Sequence, residues 1–235
     1  MNVNRLAGLN AVCSFAASDG RCLRAVLEDS ETVDVWLANL TASTELQGAC
    51  LHSLAQAIDP YTLSDTHEQQ LIPPAPPSAT TIAGSALVPA TVPSAISVSK
   101  NDGGEAGELG RRLLQAVGSS KRMVVSAYLL KLAGQPLDEV RHGAFDLMRA
   151  IAAQRGGWGL ELLLKNPDFL PFFENRLTEY SKVGKEWKFS VIEAVWNSPQ
   201  RALLSDEICN KIQKLIFQGP FYQPALQAEL MTAER

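Results

Sequence analysis

Two stretches of this chain read as one unit written twice. Residues 141–176 run RHGAFDLMRAIAAQRGGWGLELLLKNPDFLPFFENR, and residues 5–40 run RLAGLNAVCSFAASDGRCLRAVLEDSETVDVWLANL. Aligned without a gap, Arg5 falls on Arg141, Leu9 on Phe145, Val12 on Met148 and Phe15 on Ile151. Ala16-Ala17 falls on Ala152-Ala153, Gly20 on Gly156, Leu27 on Leu163, Trp36 on Phe172 and Asn39 on Asn175. A shared Arg, Ala-Ala pair, Gly and set of helix breaks in one register make an internal repeat a better account than chance. In the second copy Ala144, Phe145, Met148, Ile151 and Ala152 lie at three- and four-residue spacing, which is one helical face. Gly156, Gly157 and Gly159 punctuate the chain around Trp158. Asn166 is then the expected N-cap of a third helix, with Pro167 as its first residue. A three-helix unit of about 40 residues is the armadillo and HEAT pattern. The expected fold is therefore all-α: an armadillo/HEAT-type helical-repeat solenoid with a long Pro/Ser/Ala-rich loop in the middle.

The rest of the chain divides around this unit. Residues 1–72 are expected to be N-terminal helical repeats. Thr44 and Gln47 have the spacing of a capping box, and Leu51, Leu54 and Ile58 continue a stripe until Asp59-Pro60 stops it. Ser64-Asp65 opens another short helix. The first copy starts almost at Met1 with no polar cap ahead of it. Solenoid ends need capping, so either a partner covers Arg5 to Phe15 or the chain is a shortened form of a longer array. Residues 73–107, PPAPPSATTIAGSALVPATVPSAISVSKNDGGEAG, bury no periodic face and read as a flexible linker or insertion. A weaker alternative makes short strands around Ile82, Leu87 and Ile96, but prolines interrupt each run.

Residues 108–223 return to helical repeats, and 224–235 form a polar tail. Leu109, Leu113 and Ala116 mark a helix that Gly118 is expected to end. Ser119-Ser120 are expected to cap the next, with Val124, Ala127, Tyr128 and Leu132 inward. Gly134-Gln135-Pro136 breaks the chain before the second copy. Phe189, Ile192 and Val195 renew the stripe until Asn197-Ser198-Pro199. Ser205-Asp206 opens a last helix that Gly219-Pro220 stops.

Composition excludes several function classes. The chain is 46% hydrophobic and 20% charged with net charge −4, which lacks the clustered Lys and Arg of a nucleic-acid footprint. Lys182, Lys185, Lys188, Lys211 and Lys214 read as solvated faces. No apolar run approaches the ~20 residues that span a bilayer. Cys13, Cys22, Cys50 and Cys209 form no CxxC pair, the usage of a reducing compartment, and Cys13, Cys22 and Cys50 read as packing thiols. His52, His67 and His142 are not paired at metal-ligand spacing. Gly157-Trp158-Gly159 fails the dinucleotide fingerprint, since its third position is Leu162 and a helix precedes it. No phosphate-binding loop or nucleophile elbow occurs. The expectation is a cytosolic or nucleocytoplasmic protein-binding protein with no catalytic residues, cofactor, metal or small-molecule substrate.

Four tryptophans stand out. Trp36 and Trp196 lie on apolar stripes and are expected in the core. Trp158, at a turn, and Trp187, flanked by Glu186 and Lys188, read either as packing between units or as partner-contact anchors, a role that favours Trp. In armadillo-like units the third helix lines the inner surface. Asn39 and Asn175 occupy equivalent positions near the ends of two such helices, on the shoulder of the stripe. An amide there either faces water or offers a donor and an acceptor to a docked chain. Arg176 and Glu179 lie nearby and could add charge pairs.

AIAAQRGGWGLELLLKNPDFLPFFENR, then KEWKFSVIEAVWNSP and the closing GPFY, resemble the C-terminal part of the 26S proteasome non-ATPase regulatory subunit 5 family. The resemblance is strongest over 137–223, and the GWG turn, the NP break and Gly219-Pro220-Phe221-Tyr222 are its most specific pieces. The resemblance implies a larger class of helical-repeat chaperones, absent from the mature proteasome. They assemble the base of its regulatory particle by binding the C-terminal domain of an ATPase subunit. The alternative is a helical-repeat adaptor for another partner, since the fold by itself suits any docked chain.

Overall fold

The computed structural model describes residues 2–18, 20–59, 104–154 and 156–222. Eleven α-helices follow one another there, with no strand among the described residues: α1 (Asn2–Ala16), α2 (Gly20–Glu28), α3 (Ser30–Ala38), α4 (Thr44–Ile58), α5 (Gly104–Lys121), α6 (Val125–Ala133), α7 (Asp138–Ala152), α8 (Trp158–Leu164), α9 (Phe169–Glu174), α10 (Lys182–Asn197) and α11 (Asp206–Gln218). The protein is an all-α helical-repeat solenoid.

The internal repeat is physical and longer than three helices. In both copies a long helix, two short helices and a 3₁₀ turn (Asn39–Thr41, Arg176–Thr178) are followed by a second long helix. Thus α4 closes the first copy as α10 closes the second, and does not begin a new unit. The long helices α1, α4, α7 and α10 pack side by side in that order, with α4 against α7 the most extensive contact. The shorter helices cover this row: α2 packs on α5, α6 on α7, and α11 on α10.

At its centre α7 is buried on nearly every side, with Val140, Ala144, Phe145, Leu147, Met148 and Ile151 all at 0% exposure. A helix apolar around most of its circumference belongs inside a fold. Its close approach to α4 depends on two glycines. A Cβ on Gly143 would stand 2.8 Å from Leu51 Cβ and 2.9 Å from the Gly48 carbonyl oxygen, and one on Gly48 would stand 2.8 Å from the Glu139 carbonyl oxygen. From the other side Phe145 meets Phe172 and Phe173, each with ring centroids 6.3 Å apart, in the tilted and edge-on geometries aromatic quadrupoles favour.

The expected breaks at Asp59, Gly134-Pro136, Ser198 and Gly219 fall where helices end. Gly219 (φ 70°, ψ −179°) takes a positive-φ extended conformation that glycine alone adopts readily, and Ser205 caps α11 through Oγ, accepting from the Ile208 N–H at 3.4 Å. Other details differ. Residues 104–107 belong to α5 and not to a linker. That helix continues through Gly118, Ser119 and Ser120, and Val124, expected inside, is 68% exposed at the start of α6. A glycine weakens a helix without ending it when the turns beyond it still pack. The Thr44–Gln47 box does not form: Ser43 is the N-cap, and Gln47 Nε2 reaches back to the Leu40 carbonyl at 2.6 Å. Asn166 Oδ1 does accept from the Asp168 N–H at 3.0 Å, yet α9 starts only at Phe169. Phe15, aligned with the fully buried Ile151, is 51% exposed, and Trp196 is half-buried beneath the Arg201 guanidinium. The Ser64-Asp65 helix, the strand alternative, His67, and most of the 73–107 segment and the 224–235 tail lie outside the described residues.

Candidate partner-binding face

Where α4, α7 and α10 lie abreast, their solvent edges carry one polar and aromatic cluster. On α7, His142, Asp146 and Arg149 follow at four- and three-residue spacing and so share an edge. Against them α4 sets His52 and α10 sets Trp187. The Trp187 indole sits between the two imidazoles, 5.6 Å from His52 and 6.0 Å from His142, the latter stacked at 21°. His52 Nδ1 is 2.7 Å from Asp146 Oδ2, and Arg149 donates Nη2 and Nε to Asp146 Oδ1 at 2.7 and 3.1 Å. Arg149 also reaches toward Asp59 at 3.8 Å, which ties the end of α4 to α7.

The electrostatics follow from this packing. Burial pushes the Asp146 carboxyl up, but the His52 and Arg149 contacts outweigh it and hold the group below the usual carboxylate range. An ionised Asp146 only accepts, so His52 Nδ1 carries the proton between them. Burial pulls His142 down against the fields of Asp138 and Glu179, so its imidazole favours the neutral form. A half-buried Trp between two imidazoles, with the Arg149 and His52 side chains about one-third exposed beside it, has the aromatic and Arg content of an interface hot spot.

The other proposed contact residues are placed differently. Trp158 is 8% exposed and lies over the Gly107 and Gly110 face of α5, with the Arg111 guanidinium 5.8 Å from its ring. Gly157 (φ 74°) turns the chain so that this indole points inward. Asn39 Nδ2 donates to the carbonyls of Val35 (2.9 Å) and Trp36 (3.2 Å), and Asn175 Oδ1 accepts from the Leu177 N–H at 3.0 Å. One polar atom of each amide is thus tied to its own backbone. Arg176 donates to the Gly219 carbonyl and to Gln218 Oε1, which anchors the end of α11. Glu179 is 2% exposed, pairs with Arg141 at 3.0 Å and lies over Gly184 in the first turn of α10. Of the six, Trp187 joins the cluster across α4, α7 and α10, and Asn39 lines an open groove between α1 and α3.

Lys188, expected on a solvated face, is 7% exposed. Its ammonium donates to the carbonyls of Phe172 (2.7 Å) and Asn175 (2.6 Å) and to Thr178 Oγ1 (2.6 Å), beneath the Phe172 ring. It neutralises the carbonyl end of α9. Burial pulls its pKa down to about 7, with Glu179 opposing and Arg176 reinforcing the shift. Burial also pushes the Cys50 thiol up to about 12, so this cysteine is a packing group. Among the described residues no group of three His, Cys, Asp or Glu side chains could hold a metal ion, and no helix is long and apolar enough to cross a membrane.

The molecule is thus a helical-repeat protein whose most developed surface feature is an aromatic and charged strip across packed helices. A family model described as the proteasome non-ATPase 26S subunit matches residues 120–234, the last turn of α5 onward. Over those residues, just under half of its length, the chain is similar to that family. Over 92 residues it is 26% identical to the 26S proteasome non-ATPase regulatory subunit 5 of Bos taurus and of Homo sapiens. The aligned stretch is 39% of this chain and 18% of each relative's length, so the chain spans only a small part of them. No solved structure matches.

Proposed function

We propose that this protein is a chaperone of proteasome assembly, holding a proteasomal ATPase subunit while the regulatory-particle base is built. The observation that carries the reading is the family match over α6–α11, which includes Trp187 of the surface cluster, on α10. The face fits the task physically. It offers an aromatic anchor ringed by groups that can donate or accept, on rigid helices that need no reordering to bind. In this reading it performs no catalysis, uses no cofactor and works in the cytoplasm, and the ATPase's C-terminal domain is the part held.

The test is capture from a cell lysate by the tagged full chain, read by mass spectrometry. Proteasomal ATPase subunits should be recovered without intact 26S particles. Recovery of neither would sink the proposal. A partner set lacking ATPases but sharing one recurrent peptide motif would make the protein an adaptor of another kind.

A further inference from the structure

The two copies of the repeat differ in what lies across them. In the second, α6 packs on α7, α8 and α9. Beneath that copy's cover, Ala144 and Met148 are fully buried and the Arg141 side chain is 11% exposed. Their counterparts in the first copy are Gly8, Val12 and Arg5, and among the described residues no helix lies across α1 and α3 in the same way. Gly8 and Arg5 are exposed, and a Cβ on Gly8 would meet nothing within 4 Å. The result is an open groove between α1 and α3, with Gly8, Leu9 and Val12 on one wall and Val35 and Trp36 on the other.

The second copy shows what shape of element such a groove takes. Val125, Leu129 and Leu132 of α6 are buried at four- and three-residue spacing, the stripe of an amphipathic helix. Charge then separates the two grooves. Asp29 and Glu31 line the first, with Arg5 opposite. At the positions aligned with those two acids the second copy has Lys165 and Pro167. The first groove therefore favours a helix more basic than its twin would. The stretch of residues 121–136, which contains α6 and its flanks, carries Lys121, Arg122 and Lys131 and no acid, and of these only Lys131 lies within α6.

We propose that the α1–α3 groove is a docking site for a basic amphipathic helix of another protein, seated as α6 is seated on α7 and α9. The site lies outside the family-matched residues and stands independently of the proposed chaperone role.

The probe is a fluorescein-labelled peptide of residues 121–136, titrated into the full chain and read by anisotropy. Binding should saturate below about 1 mM, the weak end of specific recognition. Gly8→Trp, which fills the groove, and Val35→Lys, which puts a cation on its wall, should each weaken it about tenfold or more. Both positions are exposed, and circular-dichroism melts verify that each variant folds. Raising salt from about 0.05 to 0.5 M should weaken binding further, because the lip charges become screened. Absence of saturable binding overturns the proposal, as does binding that neither substitution changes. Self-association of the chain in sedimentation, abolished by Val35→Lys, would make a second copy the occupant and equally overturn it.

Discussion

At the residue scale, Lys188 shows how a charge survives burial. Three oxygens take its protons: the Phe172 carbonyl at the end of α9, the Asn175 carbonyl just beyond it, which also accepts from Thr178 Oγ1, and Thr178 Oγ1 itself. Lys188→Met removes these three bonds and should cost roughly 1–3 kcal/mol in a denaturant melt. The pH dependence has a definite sign. The unfolded amine titrates near 10.5 and the folded one at about 7. Between those values the unfolded chain binds more protons at this site, so stability rises with pH through the window, and the folded state bears the cost of the charge below it. The gap between wild type and Lys188→Met should accordingly widen in favour of wild type from pH 7 to pH 9, and a constant gap would show that the amine titrates normally. Nothing in KEWKFS announces this burial. The lysine's pocket is built by Phe172 of an earlier helix and by Asn175 and Thr178 just after it, and spacing within one helix cannot report a neighbour's carbonyls. The same limit hid the local backbone bonds of the Asn39 and Asn175 amides and the burial of Glu179 against Arg141.

At the scale of elements, the chain's punctuation was legible and its crossings were not. Breaks at Asp59, Gly134-Pro136, Ser198 and Gly219 are dictated locally by residues that cannot continue a helix, so sequence places them correctly. Which helix touches which is a long-range fact. The α4–α7 crossing depends on Gly48 and Gly143, and neither belongs to a turn. Gly143→Ala should force the two helices apart and cost roughly 1–3 kcal/mol, the range for an overfilled core. Gly8→Ala is the matched control, a mid-helix glycine with open space around it. It should leave the thermal midpoint unchanged or raise it, by up to about 1 kcal/mol of stability. Equal effects at both positions would mean that helix propensity, and not the crossing, decides. Trp158 belongs to this scale too. Its indole fills the α5–α8 contact, so Trp158→Ala should cost roughly 3–5 kcal/mol, as truncated core aromatics do. A melt unchanged within error, together with lost partner capture, would make it an interface anchor instead.

For the whole molecule, the repeat was legible because both copies keep one register from Arg5/Arg141 to Asn39/Asn175. Its extension through α4 and α10 was not, because those helices share little sequence beyond their length and place. That difference moves the expected binding surface. A three-helix reading puts it on the shoulder of α3 and α9, whereas the packing makes the row α1–α4–α7–α10 continuous and leaves its edge to His52, His142, Asp146, Arg149 and Trp187. The two surfaces make opposite predictions for capture of the proposed proteasomal partner. Trp187→Ala removes the indole between the imidazoles and should lower capture about thirtyfold, the effect of losing a hot-spot anchor. Its cooperative melt should persist, because the residue is only half-buried. The combined Asn39→Ala/Asn175→Ala variant loses local backbone caps, at about 1 kcal/mol each. It should capture the partner within about twofold of wild type, the scale of a residue outside the contact. Both are read by quantitative pull-down beside a thermal melt. Capture lost in the double variant and kept in Trp187→Ala would return the partner to the shoulder of α3 and α9.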